Sequence, residues 1–379
     1  MKDHSLEVHG CHTYDATGAI SPAICLSATF RHPRFGESTG YDYGRVANPT
    51  RESLEKTVAL LERGGRSWAL SSGMAAVQLV FSLLSAGDHV LMSEDLYGGT
   101  VRLAEEVFAG YGVTFEYVDV RDLALVGKRM RSETKLVFIE TPSNPMMQIA
   151  DIAALSALAH ENGALLAVDN TFLSPHFQKP LTLGADIVLH SGTKYLCGHN
   201  DVIAGFLVLK DATSAQAKRI ELLAKSAGPN LSALDSWLML RSIKTLGVRV
   251  ERQAENALAI ARWLGTLPEV TEVLYPGLAD HPGYALQQKQ ASGAGGMISF
   301  KVRSTELAKA ALGKLHLIAF AESLGGVETL LTYPIAQTHA EMPAALLKRT
   351  GLDDKLLRLS VGIEDVEDLK ADLQQALQG

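Results

Sequence analysis

Cysteine is scarce in this chain. Cys11, Cys25 and Cys197 are the only three among 379 residues, far apart and without a CxxC pair. That excludes a disulfide-built scaffold and implies three reduced thiols in the cytoplasm. Cys197 and His199 lack companion ligands at zinc spacing, so no metal is expected there. No basic block interrupts a formal net charge of -7. Neither nucleic acid nor an anionic membrane is therefore expected as a partner. The most apolar stretch, "MAAVQLVFSLL", is too short and too interrupted to span a bilayer. The amino terminus, "MKDHSLEVHG", lacks the apolar core of a secretory signal. The first expected strand is followed by no G-x-G-x-x-G turn, which sets aside a nucleotide-binding oxidoreductase. No internal repeat, low-complexity tract or charged tail is present.

What is there suits a folded α/β protein. Its length exceeds the usual span of one core, so two packed domains are expected. Residues 1–47 read as an irregular, Gly-, Pro- and aromatic-containing arm. "ANPTRESLEKTVALLE" then starts a helix, with Asn48 as N-cap and Pro49 at its first position. Short apolar runs follow: "SWALSS", "HVLMSED", "VTFEYVDV", "KLVFIETP", "ALLAVDN" and "ADIVLHSG". Helical stretches separate most of them, which predicts a mostly parallel sheet in an α/β domain over 48–242. Beyond "AGFLVLK" the pattern changes. "SALDSWLMLRSIKTLGVRVERQAENALAIARWLGTL" reads as a long linking helix. The runs "GGMISFKV", "HLIAFAE", "VETLLTY" and "LLRLSVG" then predict a smaller α+β domain over 243–379.

Ligands of a parallel α/β sheet bind beyond the carboxyl ends of its strands, so the residues after each run matter most. Ser71-Ser72-Gly73-Met74 follows "SWAL" and opens a helix. It suits either a phosphate seat or a plain strand–helix turn. Asp169 follows "ALLAV" and can pair a buried cation or cap a turn. Tyr97 follows "HVLMSEDL" and can stack on a ring or be a half-buried tyrosine. In "HSGTKYLCGHND", Lys194 sits beside Ser191 and Thr193. Alone it fits a solvated surface charge or the amine that anchors an aldehyde. Gly73, Asp169 and Lys194 fall in that chain order, and with Tyr97 they supply a phosphate site, a pyridinium partner, an aldehyde-binding amine and a stacking ring. Those are the needs of pyridoxal 5′-phosphate.

"YDYGRVANPTR", "SSGMAA", "EDLYGGT", "ETPSNP", "VDNTF", "SGTKYLCGHND", "ESLGG" and "RLSVGIED" together resemble the Cys/Met-metabolism family of pyridoxal-phosphate enzymes. The motifs run from about residue 10 to the carboxyl end. The resemblance implies the aspartate-aminotransferase-like fold, fold type I, and a homotetramer of two active dimers working on small amino-acid substrates. It implies Lys194 as Schiff-base lysine and proton shuttle, with Tyr97 and Tyr43 beside it in catalysis. Asp169 would pair the pyridine nitrogen and Tyr97 stack on the ring. Gly73, Met74, Ser191 and Thr193 would hold the phosphate, reached by Tyr43 and Arg45 of a neighbouring subunit. Arg358, with Ser323 and Asn144, would hold the substrate α-carboxylate. The family often carries alanine where this chain has Gly192, an exchange expected to matter little because both are small.

The branch of the chemistry is read from the substrate-facing residues. The resemblance associates a cysteine two places after the stacking tyrosine with methionine γ-lyases, and Gly99 stands there. It associates an apolar residue in place of the "ESLGG" glutamate with β-lyases, and Glu322 is present. Glu322 and Arg102, with Asp42, suit a zwitterionic distal half such as that of cystathionine or cysteine, or form a rim of solvated charges. "GESTGYDYGR", "CGHND" and "TYPIAQTH" resemble γ-synthase and O-acetylhomoserine-using members. The expected reaction is therefore γ-replacement on an activated homoserine in methionine and cysteine metabolism. γ-Elimination of cystathionine is the alternative, and β-elimination or methionine γ-lysis stands behind both.

Overall fold

The structure, a computed structural model, describes residues 1–11 and 17–378. Among the described residues, twelve strands form two sheets. The larger sheet takes β1 (Arg66–Leu70), β2 (His89–Ser93), β3 (Thr114–Val118), β4 (Thr134–Glu140), β5 (Leu165–Asp169), β6 (Ile187–Ser191) and β7 (Gly205–Leu209). The smaller takes β8 (Val270–Leu274), β9 (Met297–Val302), β10 (Ala319–Phe320), β11 (Leu330–Thr332) and β12 (Leu356–Ser360).

The larger sheet runs in the order β1-β7-β6-β5-β4-β2-β3. Only β7 is reversed, antiparallel to both β1 and β6, and every other neighbouring pair is parallel. The sheet is thus mixed but mostly parallel. Its strands are nearly continuous apolar runs because helices cover both faces. β2 and β7 are buried at every position. The helix Pro49–Leu61 begins as its sequence predicts: Asn48 Oδ1 accepts from the Thr50 and Arg51 amides, and Pro49 occupies the first turn. The order of strand and helix through this region matches the apolar runs.

Three expectations need correction. The arm is not wholly irregular, because Asp3–His9 forms a helix whose Leu6 and Glu7 are buried. Its seven residues hold too little period to be read without the body they pack on. Residues 12–16 of the arm lie outside the described region. The long linking helix is two, Ala233–Ile243 and Leu246–Leu264, separated at Lys244 and Thr245. In the smaller sheet, β8 comes from "VTEVL", a half-exposed run whose alternation is too weak to stand out. "HLIAFAE" contributes only the two exposed residues of β10, parallel to β11. The rest of that sheet is antiparallel, in the order β10-β11-β12-β9-β8.

Candidate active site

The carboxyl ends of β1, β4, β5 and β6 open on a cavity of about 280 Å³, closed from the other side by the smaller sheet's loop 322–324 and by Arg358 of β12. Its lining includes Gly73, Met74, Tyr97, Asn144, Asp169, Ser191, Thr193, Lys194, Glu322, Ser323 and Arg358. The sequence spreads these from Gly73 to Arg358, and the fold brings them together.

One end of the cavity is shaped for an anion. Helix Gly73–Phe81 starts there, with Ser72 Oγ accepting from the Ala75 amide. The Gly73 and Met74 amides belong to the first turn and have no intrahelical acceptor, so they remain free for a ligand. Gly73 is required by close approach: a Cβ there would lie 2.8 Å from Ser191 Cβ. Gly205 of β7 is pressed still more tightly against the Ser72 carbonyl. Thr193 Oγ1 accepts from the Ala204 amide at 3.0 Å, which locks the turn carrying Ser191 and Lys194.

The floor is acidic. Asp169 ends β5 and Glu140 ends β4, in register with each other across the parallel pair. Burial raises both carboxyls, and Glu140 is raised further by its repulsion from Asp169. Thr171 opposes this at Asp169: its amide and hydroxyl donate to Oδ1 at 3.0 and 2.5 Å. Two buried carboxylates side by side call for a cation. Glu140 also anchors the ring-bearing loop, since its Oε2 accepts from the Tyr97 amide at 3.0 Å.

The opposite wall is cationic. Lys194 Nζ donates to Ser323 Oγ at 2.7 Å. Burial, with the nearby Arg358 charge, pushes the Lys194 amine down to about 8, and Glu322 opposes the shift. Arg358 is 1% exposed. Its Nη1 donates to Asn144 Oδ1 at 2.7 Å, and its Nη2 to the Ser323 carbonyl at 3.2 Å and Thr332 Oγ1 at 3.3 Å. Arg358 Nε is buried with no partner, an orphan donor that an anionic ligand would satisfy. Burial lowers Arg358 to about 10, which leaves it charged near neutrality.

Not every expected residue lines the cavity. Arg102 turns away, its Nη1 2.6 Å from Glu341 Oε2 on the surface. Tyr43 and Arg45 lie outside their own chain's cavity. The Arg45 guanidinium stacks 5.7 Å from the Tyr43 ring and donates to the Lys225 carbonyl. Asp42 is engaged by the Ser38 hydroxyl at 2.6 Å. Gly192 is not indifferent to alanine: a Cβ would lie 2.5 Å from the Phe206 ring, so that ring would have to move. Glu140, Thr171 and His339 were missed as site residues, although "ETPSNP", "VDNTF" and "TYPIAQTH" contain them. His339, pushed down to about 4 chiefly by burial and also by Arg358, is neutral. Its Nε2 donates to the Asn144 and Leu96 carbonyls at 3.0 and 3.2 Å, tying together the peptides that carry Asn144 and Tyr97.

A helix-start anion seat, an acidic floor facing the cavity, an amine and an orphaned guanidinium match a bound phosphate, pyridinium, aldehyde and carboxylate. The fold and the site define a pyridoxal-phosphate-dependent enzyme of the aspartate-aminotransferase type. More particularly, the chain belongs to the family of Cys/Met metabolism PLP-dependent enzymes, whose profile matches residues 4–378. It is 46% identical over 379 residues to cystathionine γ-lyase of Bacillus subtilis, covering all of both chains. It is 46% identical to cystathionine β-lyase MetC of the same organism, over 96% of this chain and 93% of that one. It is 45% identical to that organism's cystathionine γ-synthase/O-acetylhomoserine (thiol)-lyase, over 97% and 94%. Among solved structures, cystathionine γ-lyase from Lactobacillus plantarum complexed with L-serine superposes with a TM-score of 0.96 at 43% identity, covering 99% and 98% of the two chains. The chain is therefore a pyridoxal-phosphate-dependent transsulfuration enzyme.

Proposed function

We propose that this enzyme catalyses γ-replacement on an activated homoserine, joining a thiol to Cγ as its acyl group leaves. The observation that carries the reading is Glu322, which is exposed into the cavity beside Lys194 and Ser323. A carboxylate there suits the distal ammonium of an incoming cysteine. Arg102, held by Glu341, adds nothing to this in the single chain. Gly99 packs against the Tyr97 ring so closely that a cysteine at 99 would displace it, which supports setting methionine γ-lysis aside. Identities of 45–46% to a γ-lyase, a β-lyase and a γ-synthase do not choose between them.

Bound pyridoxal phosphate would supply an aldehyde group and an electron-accepting ring. The chain's residues do the rest. Gly73, Met74, Ser191 and Thr193 would seat the phosphate, Asp169 would pair the ring nitrogen, and Tyr97 would cover the ring. Arg358, oriented by Asn144 and the Ser323 carbonyl, holds the α-carboxylate with its free Nε. Ser323 thereby links the carboxylate clamp to Lys194 Nζ. Lys194, lowered to about 8, is neutral often enough near neutrality to take the α-proton and return it. Tyr43 and Arg45 reach the phosphate from a neighbouring subunit in a homotetramer. The exposed apolar arm supports this assembly: Ile20, Leu26, Phe35 and Tyr43 all face solvent in the single chain. Three free thiols suit a cytoplasmic setting.

γ-Lyase activity is the second reading, favoured by the full-length match to a γ-lyase. Product analysis separates the two. With O-acetyl- or O-succinylhomoserine plus cysteine, the expected main product is cystathionine, and sulfide gives homocysteine. Faster release of cysteine and 2-oxobutyrate from cystathionine would establish the lyase instead, and homocysteine with pyruvate would mark β-elimination. Borohydride reduction should fix the cofactor's mass on the peptide containing Lys194. Lys194→Ala should lose that adduct and roughly 10²–10⁴-fold of the rate.

A further inference from the structure

Away from the cavity, three helices meet at a cluster of side chains that the reaction does not use. His4 and Glu7 lie one turn apart on Asp3–His9, His176 lies on Ser174–Phe177, and Glu251 lies on Leu246–Leu264. His4 Nε2 is 3.3 Å and His176 Nε2 is 3.4 Å from the same oxygen, Glu251 Oε1. One ligand atom from each of His4, His176 and Glu251 falls within 4.8 Å of the others. Zinc bonds of about 2.0–2.1 Å at tetrahedral angles set ligand atoms roughly 3.4 Å apart. Two of the three edges already have that length. The third needs at most a shift of the His4 ring, whose side chain is 62% exposed.

Glu7 supplies an independent observation. Its side chain is 3% exposed, and its Oε1 accepts from His176 Nδ1 at 2.7 Å. Its Oε2 accepts from the Gly247 amide at 3.1 Å, which fixes the carboxylate on the body of the protein. A carboxylate on one ring nitrogen places the proton there and leaves a lone pair on the other, the arrangement found behind metal-ligating histidines. His176 Nδ1 is thus occupied by Glu7, and its Nε2 faces Glu251 and the His4 ring, on the side where the cation would sit. The neighbouring cations offer no substitute, because Arg63 and Lys179 are both paired with Asp3.

We infer that His4, His176 and Glu251 form a site for one divalent cation of the zinc class, with Glu7 orienting His176 and water completing the coordination. The bound ion fastens the amino-terminal helix to the helices that carry His176 and Glu251.

The test titrates zinc chloride into the cofactor-loaded, full-length protein by calorimetry and follows thermal unfolding in parallel. Wild type is expected to bind one Zn²⁺ per chain, with a rise in the unfolding midpoint that a chelator reverses. His4→Ala and Glu251→Gln alter exposed side chains. Each should weaken binding by at least about tenfold, while the midpoint without metal stays close to wild type. A Cys11→Ser/Cys25→Ser variant should bind as wild type does. Absence of stoichiometric binding overturns the inference. So does binding that persists unchanged in both His4→Ala and Glu251→Gln, or that disappears with the cysteines.

Discussion

At the scale of single residues, Lys194 and Arg358 define each other. Arg358 is buried and Lys194 half-buried on the same wall, and the Arg358 charge adds to burial in lowering the Lys194 amine. Their coupling has a measurable sign. Lys194 titrates near 8 in the cofactor-free protein, below the 10.5 of a free lysine. Only the neutral amine attacks an aldehyde. The rate of covalent capture of pyridoxal phosphate by the stripped enzyme should therefore climb with pH and level off just above 8. A rate still climbing beyond pH 10 would show that burial does not depress this amine. The protonated amine is the form disfavoured by folding, so stability from this group rises with pH between about 8 and 10.5. Arg358→Lys keeps a charge but loses the planar fork that bonds Asn144 and Ser323. It should raise KM for the amino acid by roughly 10–100-fold, one to two such bonds' worth, with a smaller change in kcat. A kcat loss with unchanged KM would remove the carboxylate-binding role.

At the scale of elements, strand ends and helix starts set the site. β4 and β5 end in register, which is why Glu140 and Asp169 face the same space. Glu140 then reaches across to the loop that carries Tyr97. Glu140→Gln retains an acceptor for that amide and removes a charge from the floor, whereas Glu140→Ala loses both. If the bond positions Tyr97, Glu140→Ala should lower kcat by about tenfold, the worth of one hydrogen bond to a charged group, and Glu140→Gln should recover most of it. Equal loss in both variants would assign the effect to charge alone. The turn after β6 is the second such place. Gly192 lies against Phe206 on β7, the reversed strand. Gly192→Ala should cost about 1–3 kcal/mol in urea unfolding, as overpacking does. No measurable loss would mean that Phe206 yields without strain.

At the scale of the whole molecule, the arm matters most. Tyr43 and Arg45 lie outside their own chain's cavity, and the arm exposes large apolar side chains such as Phe35 and Leu26. If the two residues complete a neighbour's phosphate site, inactive subunits should complement one another. Lys194→Ala spoils only the site of its own chain, and Arg45→Ala spoils only its neighbour's. Unfolding and refolding the two together should return about a quarter of wild-type activity, since half the random dimers are mixed and each has one intact site of two. No return of activity would place Arg45 in its own chain's function or in neither.

Much of this was legible in the chain itself. Six apolar runs give six of the seven strands of the larger sheet in order, β7 being the exception, Asn48 and Pro49 mark a helix start, and the residues after the runs include Gly73, Tyr97, Asp169 and Lys194. These are local signals: a strand's period, a cap and a motif are written in neighbouring residues. Other features depend on residues far apart. The reversal of β7, the helix at Asp3–His9 and the turning of Arg102 toward Glu341 follow from packing and charge partners elsewhere in the chain. Lys194 meets Ser323 across 129 residues, and Arg358 meets Asn144 across 214. The sequence by itself determined which chemistry the chain can perform, because a lysine, an aspartate and an arginine carry their functional groups wherever they stand. Only the tertiary structure decided which of them act together, because burial and distance, which set their charge and their reach, do not exist until the two sheets close on one cavity.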